Sequence, residues 1–121
     1  MTTVLIVDDS PTERYNATRI LEKHGYEVEF TTDGEGSLEK ALEVKPDLIL
    51  MDVVMPGMNG FQATRALSKN AETAGIPIII VTTKDQETDK VWGLRQGARD
   101  YVVKPIKEND LISRVQAVLG D

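Results

Sequence analysis

Three stretches of this chain are apolar without interruption: residues 4–7 (Val-Leu-Ile-Val), 48–51 (Leu-Ile-Leu-Met) and 78–81 (Ile-Ile-Ile-Val). A strand that is apolar at every position has both faces covered, whereas one that meets water on one side alternates. Residues 27–30 (Glu-Val-Glu-Phe) do alternate, and residues 101–103 (Tyr-Val-Val) are short. These two therefore predict the edges of a sheet whose centre is made by the three continuous runs.

Between the strands the apolar spacing changes to three and four, the period of a helix. Ala17, Ile20 and Leu21 predict the first helix, introduced by Ser10-Pro11-Thr12-Glu13. There Ser10 caps, Pro11 suits the first helical position, and Glu13 is expected to reach back to the Ser10 amide. Gly25 ends this helix, with His24 in its last turn as a structural residue. Leu38, Ala41 and Leu42 predict a second helix, capped by Asp33 and ended by Pro46, and Phe61, Thr64 and Leu67 a third from Gly60 to about Asn70. Residues 85–97 predict a fourth, with Val91, Leu94 and Ala98 as its inner stripe and an interior Gly93 that costs about 1 kcal/mol relative to Ala. Leu111, Val115 and Val118 predict a fifth. Five alternations of strand and helix imply an α/β fold, a parallel sheet with helices on both faces. The edge assignment gives the strand order 2-1-3-4-5, that of the flavodoxin-like (βα)5 three-layer sandwich.

At 121 residues the expectation is a single domain, 1–121, with no output domain after the last helix. No cysteine is present and only one histidine, which removes disulfides and thiolate sites and leaves little for zinc. A net charge of −6 and a pI near 4.8 argue against a nucleic-acid surface. No apolar run reaches membrane-spanning length and no signal segment precedes residue 4, so a soluble, cytoplasmic protein without membrane insertion is expected.

What changes the picture is the residue after each central strand. The first run ends in Asp8-Asp9, the third strand in Asp52, the fourth in Thr82-Thr83-Lys84 and the fifth in Lys104-Pro105. Asp52 alone can be read as a turn opener before Met55-Pro56-Gly57. In an open parallel sheet, however, ligands bind outside the carboxyl ends of the strands, and the predicted order brings all five groups to that edge. Three carboxylates there repel by about 4 kcal/mol per pair at 4 Å in an effective dielectric near 20, so the cluster calls for a cation. With oxygen ligands only, Mg2+ fits best. A carboxylate beside Mg2+ can act as a nucleophile toward phosphorus, with Lys104 and Thr82 meeting the charge on the transferred group.

The segments VDDS, LMDVVMPGMNG, VTT and YVVKP, in that order and spanning nearly the whole chain, resemble the receiver domain of two-component response regulators. The resemblance implies that a histidine kinase phosphorylates Asp52 and that Asp8, Asp9, Asp52 and the Val54 carbonyl hold Mg2+. Lys104 would pair with the phosphoryl group across a cis Lys104-Pro105 peptide. Thr82 and Tyr101 would form the switch pair, and Val54 and Lys84 would tune the lifetime of the phosphorylated state. A narrower resemblance rests on SPTE, LEKHG, GFQATR and TTKDQETDKVWGLRQGARDY, which are similar to stand-alone PilH-type receivers of the chemosensory system that controls type IV pili and twitching motility. It implies a chemotaxis-type hybrid kinase as phosphodonor and a downstream motility protein as target, or no target if the chain is a phosphate sink. The implied output surface is the fourth helix, fifth strand and fifth helix; on the fourth helix Trp92, Arg95 and Arg99 share a stripe and Trp92 reads either as a packing edge or as an interface anchor.

Two other readings compete. A phosphorylation-independent interaction module on the same fold would be free to lose part of the Asp8, Asp9, Asp52, Thr82, Lys104 set, which is intact. A phosphohydrolase with an aspartyl nucleophile would carry a second Asp two residues on, where this chain has Val54, so no turnover enzyme is expected. A dinucleotide site would need glycines in the first turn, which here reads DDSPTE.

Overall fold

The three uninterrupted apolar runs lie side by side at the centre of one sheet. In this computed structural model, which describes residues 1–120, they form β1 (Thr3–Val7), β3 (Leu48–Met51) and β4 (Ile78–Thr82). The alternating strand β2 (Glu27–Thr31) and the short strand β5 (Asp100–Val103) are the edges. All pairings are parallel and the order is β2-β1-β3-β4-β5, as the sequence pattern predicts. Four helices connect them, α1 (Pro11–Lys23), α2 (Glu35–Val44), α3 (Gly60–Lys69) and α4 (Glu87–Gln96), and α5 (Glu108–Leu119) follows β5. No helix among the described residues is long and apolar enough to cross a membrane.

Because side chains alternate along a strand, each central strand feeds two cores. Val4, Ile6, Leu48 and Leu50 pack against Ala17, Ile20 and Leu21 of α1 and against Leu111 and Val115 of α5. On the other face Leu5, Val7, Ile49 and Met51 meet Ala41 of α2 and Leu67 of α3. Full burial of each such side chain contributes about 1.5–3 kcal/mol, which makes β1, β3 and β4 the fixed base on which loops can carry charge. The edge strand β2 leaves Phe30 half exposed, with the Arg14 guanidinium 4.8 Å from its ring centroid. At the opposite end, His24 Nε2 and Lys23 Nζ both lie 3.0 Å from Glu108 Oε2, tying the end of α1 to the start of α5. The structural reading of His24 thus has a partner.

The fourth helix departs from its predicted face. Val91 and Leu94, expected inside, are 41% and 48% exposed, and the buried positions are Gly93 and Gln96. Of the expected stripe only Ala98 is buried, and it lies past the helix end at Gly97. The reason is the glycine. A Cβ at position 93 would stand 2.7 Å from Ile80 Cδ1 and 3.2 Å from the Tyr101 ring, so α4 lies on the sheet through a residue with no side chain and turns its apolar residues outward. The periodicity rule assumes that large residues make the contact, and here the smallest one does.

Gly93→Ala therefore sets a helix-propensity gain of about 1 kcal/mol against overpacking of about 1–3 kcal/mol. A net loss of roughly 1 kcal/mol in urea unfolding is expected; a more stable alanine variant would mean that α4 does not rest on Ile80 and Tyr101.

Candidate functional site

Strand register brings the predicted groups together. Val7 pairs with Met51, so Asp8 and Asp52 leave their strands side by side, and the Asp52 amide donates to the Val7 carbonyl at 2.9 Å. Thr82 pairs with Val103, which places Lys104 directly beyond it, its amide donating to the Thr82 carbonyl at 2.8 Å. Asp8, Asp9 and Asp52 each present a carboxylate oxygen within 4.8 Å of the others. Asp8 and Asp52 are buried, Asp9 is exposed and Thr82 is fully buried. The Lys104-Pro105 peptide is cis.

Lys104 is the cation of this edge. Its Nζ donates to Asp8 Oδ2 at 2.9 Å and lies 3.5 Å from Glu13 Oε2 and 3.6 Å from Asp52 Oδ2. Burial works to lower the ammonium's pKa, but the bond to Asp8 and the charges of Asp52, Asp8 and Glu13 outweigh it, and the net shift is upward. At Asp52 burial raises the pKa and is the largest effect. Lys104 opposes that rise, Asp8 adds to it, and the Thr82 hydroxyl and the Val53 amide, which donates to Asp52 Oδ1 at 2.8 Å, oppose it; the net shift is again upward. Burial is the cost of the site. Three carboxylates, Asp8, Glu13 and Asp52, face the one ammonium and Asp9 adds a fourth acid beside them, so the oxygen-only donor set of Asp8, Asp9 and Asp52 suits a hard divalent cation such as Mg2+.

Tyr101, Lys84 and Val54 border this edge of the sheet. Tyr101 is buried with its ring turned inward, and its hydroxyl donates to the Lys84 carbonyl at 2.9 Å. Burial pushes its pKa up to about 12, with Asp89, Asp85 and Asp52 adding to the rise. Lys84 is exposed, its Nζ 3.9 Å from Asp89 Oδ1, and Val54 is 57% exposed beside the acids. Trp92 and Arg95 project from α4 into solvent; Arg99 is exposed too, but it follows the helix, and its amide donates to the Ile78 carbonyl.

Sequence reasoning missed three contributors. Glu13 was expected to complete a capping box, yet only half of it forms: Ser10 Oγ accepts from the Glu13 amide at 3.3 Å, while the Ser10 amide donates to Asp8 Oδ1. The Glu13 carboxylate is drawn to Lys104, a charged partner that outbids a backbone amide. Arg14 Nη1 donates to the Asp8 carbonyl at 2.9 Å. Gly60, expected as the start of the third helix, also approaches the site: a Cβ there would strike the Asp52 carbonyl, so the start of α3 lies directly behind the acid. Helix α1 begins three residues after Asp8, and that spacing was the available signal for Glu13.

A family model described as the response regulator receiver domain matches residues 4–116. Protein PilH of Pseudomonas aeruginosa is 61% identical over 120 residues, covering 99% of each chain. Chemotaxis protein CheY4 of Vibrio cholerae has the same fold at a TM-score of 0.91 and 36% identity, with 98% of each chain covered. The receiver domain of the sensor histidine kinase PA1611 from Pseudomonas aeruginosa, solved with a magnesium ion coordinated in its active-site cleft, matches at a TM-score of 0.90 and 30% identity over 99% of this chain and 98% of that one. The chain spans about half the length of the DNA-binding response regulators that it also matches.

The raised pKa of Asp52 has a stability consequence in metal-free protein. A carboxyl whose folded pKa exceeds its unfolded value binds its proton more tightly in the native state, so stability declines as pH rises above the ordinary aspartate value of about 4. Asp52→Asn removes that penalty. Its melting temperature should exceed wild type at pH 7.5, and the difference should close as pH is lowered to about 4; a constant difference across that range would contradict the assignment.

Proposed function

The chain belongs to the response regulator receiver family, and on that premise we propose that it accepts a phosphoryl group from a histidine kinase on Asp52. The observation that carries the proposal is the meeting of Asp52, Lys104 and Thr82 at one sheet edge beside Asp8 and Asp9. One Asp52 carboxylate oxygen forms the new bond to phosphorus as the bond from phosphorus to the kinase imidazole nitrogen breaks, and the imidazole leaves with a proton. Asp8, Asp9, Asp52 and the Val54 carbonyl would hold Mg2+, which would supply positive charge against the phosphoryl oxygens. The Lys104 ammonium, already 3.6 Å from Asp52, is positioned to pair with another of those oxygens, and the Thr82 hydroxyl to donate to a third. Receiver domains are signalling proteins, and the bond made at Asp52 is a signal that later hydrolyses.

The signal leaves through the β4–α4 connection. Thr82 moves toward the phosphoryl group, and the inward Tyr101 ring, anchored on the Lys84 carbonyl, fixes the loop that precedes α4. On α4 the exposed Trp92 and Arg95 offer an aromatic anchor beside a cation. The 61% identity to PilH along the whole alignment supports a role in chemosensory control of type IV pili and twitching motility, with a chemotaxis-type hybrid kinase as donor.

Incubation with acetyl phosphate followed by intact-mass measurement tests the acceptor. A gain of one phosphoryl group is expected with Mg2+ and not without it, and Asp52→Ala should abolish it; labelling of Asp52→Ala to the same extent would sink the assignment. Lifetime gives a second test. Val54 is apolar and cannot orient an attacking water, so Val54→Asn should shorten the half-life of the phosphorylated protein, and an unchanged half-life would remove Val54 from the tuning role.

A further inference from the structure

The ammonium of Lys104 has three protons to donate, and each has a carboxylate to face: Asp8 at 2.9 Å, Glu13 at 3.5 Å and Asp52 at 3.6 Å. These three acids are not equivalent. Asp8 and Asp52 are buried side chains at the ends of central strands, held by main-chain bonds from Ser10 and Val53. Glu13 reaches in from the first turn of α1 on a longer chain whose side chain is 38% exposed, and among the described residues its carboxylate pairs with Lys104. It alone can withdraw into water without leaving a buried charge unpaired. Its backbone role is separate, because the Glu13 amide and not the carboxylate completes the Ser10 cap.

We propose that Glu13 is a positioning residue that holds Lys104 in place before phosphorylation and competes with the incoming phosphoryl group for that ammonium. This rests on the reading of Asp52 as phosphoacceptor. A phosphoryl group on Asp52 brings oxygens that need a charge-assisted donor, and the ammonium is within reach of them only by giving up part of its contact with an acid. Asp8 is committed by its short bond and its burial, so Glu13 is the partner displaced. Until it moves, its negative charge stands beside the entering anion and opposes it. The carboxylate therefore lowers affinity for phosphoryl oxygens while it keeps the lysine aimed at them.

The test is binding of beryllium trifluoride, an anionic phosphoryl mimic, in the presence of Mg2+, followed by fluorine NMR in wild type, Glu13→Gln and Glu13→Asp at low and high salt. Glu13→Gln keeps the cap and loses the charge, and it should bind about two- to fivefold more tightly at low salt, the scale of a partly exposed ion pair. The gain should shrink at high salt, where charges near solvent are screened, and Glu13→Asp, which keeps the charge, should stay within about twofold of wild type. In metal-free protein the Lys104 ammonium protons should exchange with water faster in Glu13→Gln than in wild type. Equal or weaker binding by Glu13→Gln at low salt, or unchanged exchange of those protons, overturns the proposal while leaving the acceptor reading intact. Absence of Asp52-dependent binding in wild type overturns both.

Discussion

One buried ammonium among acids governs this molecule. Lys104 stands where three carboxylates converge, and without it Asp8 and Asp52 would face each other across the sheet edge with nothing between them. The arrangement exists because parallel strands all end at the same side, so the residue after each strand is delivered to a common line regardless of its distance in sequence. Asp8 and Lys104 are 96 positions apart and hydrogen-bonded. The apolar interior of β1, β3 and β4 makes this possible, since strands buried on both faces are stable enough to carry a cluster that disfavours folding. Function and stability oppose each other at this edge, and the cores of both faces offset the cost.

The sheet was legible in the sequence because burial on both faces leaves a short, continuous apolar run, and its length and β-branched content separate it from a buried helix segment. The alternation in residues 27–30 identified an edge in the same way, and the positions after the strands were enough to assemble the acids with Thr82 and Lys104. What could not be read depended on close approach. Gly93 looked like a weak point in a helix, and its actual effect is to let α4 rest on Ile80 and Tyr101 while Val91, Trp92 and Leu94 face outward. Glu13 satisfied a capping pattern, and the structure shows its carboxylate diverted by a lysine that is distant in sequence. Local rules failed at both places because a tertiary neighbour had more to gain from the residue than its own helix did.

Similarity to PilH and the receiver match agree with the geometry at the level of the family, and the acid cluster at the sheet edge suits a divalent cation. Burial keeps the Asp52 carboxylate away from bulk water while the excess of acid over base around it favours a divalent cation. The exposed Asp9 and Val54 form the open side of the cluster. A receiver needs both a closed floor and an open mouth, and here they come from alternate residues of the same two loops.

The packing of Gly60 against the Asp52 carbonyl carries a mechanical consequence. With no side chain between them, the end of β3 and the start of α3 are in direct contact and behave as one stiff support. On the other side of the site, β4 continues into a loop and then into α4, which rests on the sheet through a single glycine and a tyrosine ring. A load passed on from Asp52 therefore meets a rigid limb on one side and a more compliant one on the other. Displacement concentrates in the compliant limb, so the direction in which this molecule deforms is set by the contrast in stiffness between its two glycine contacts.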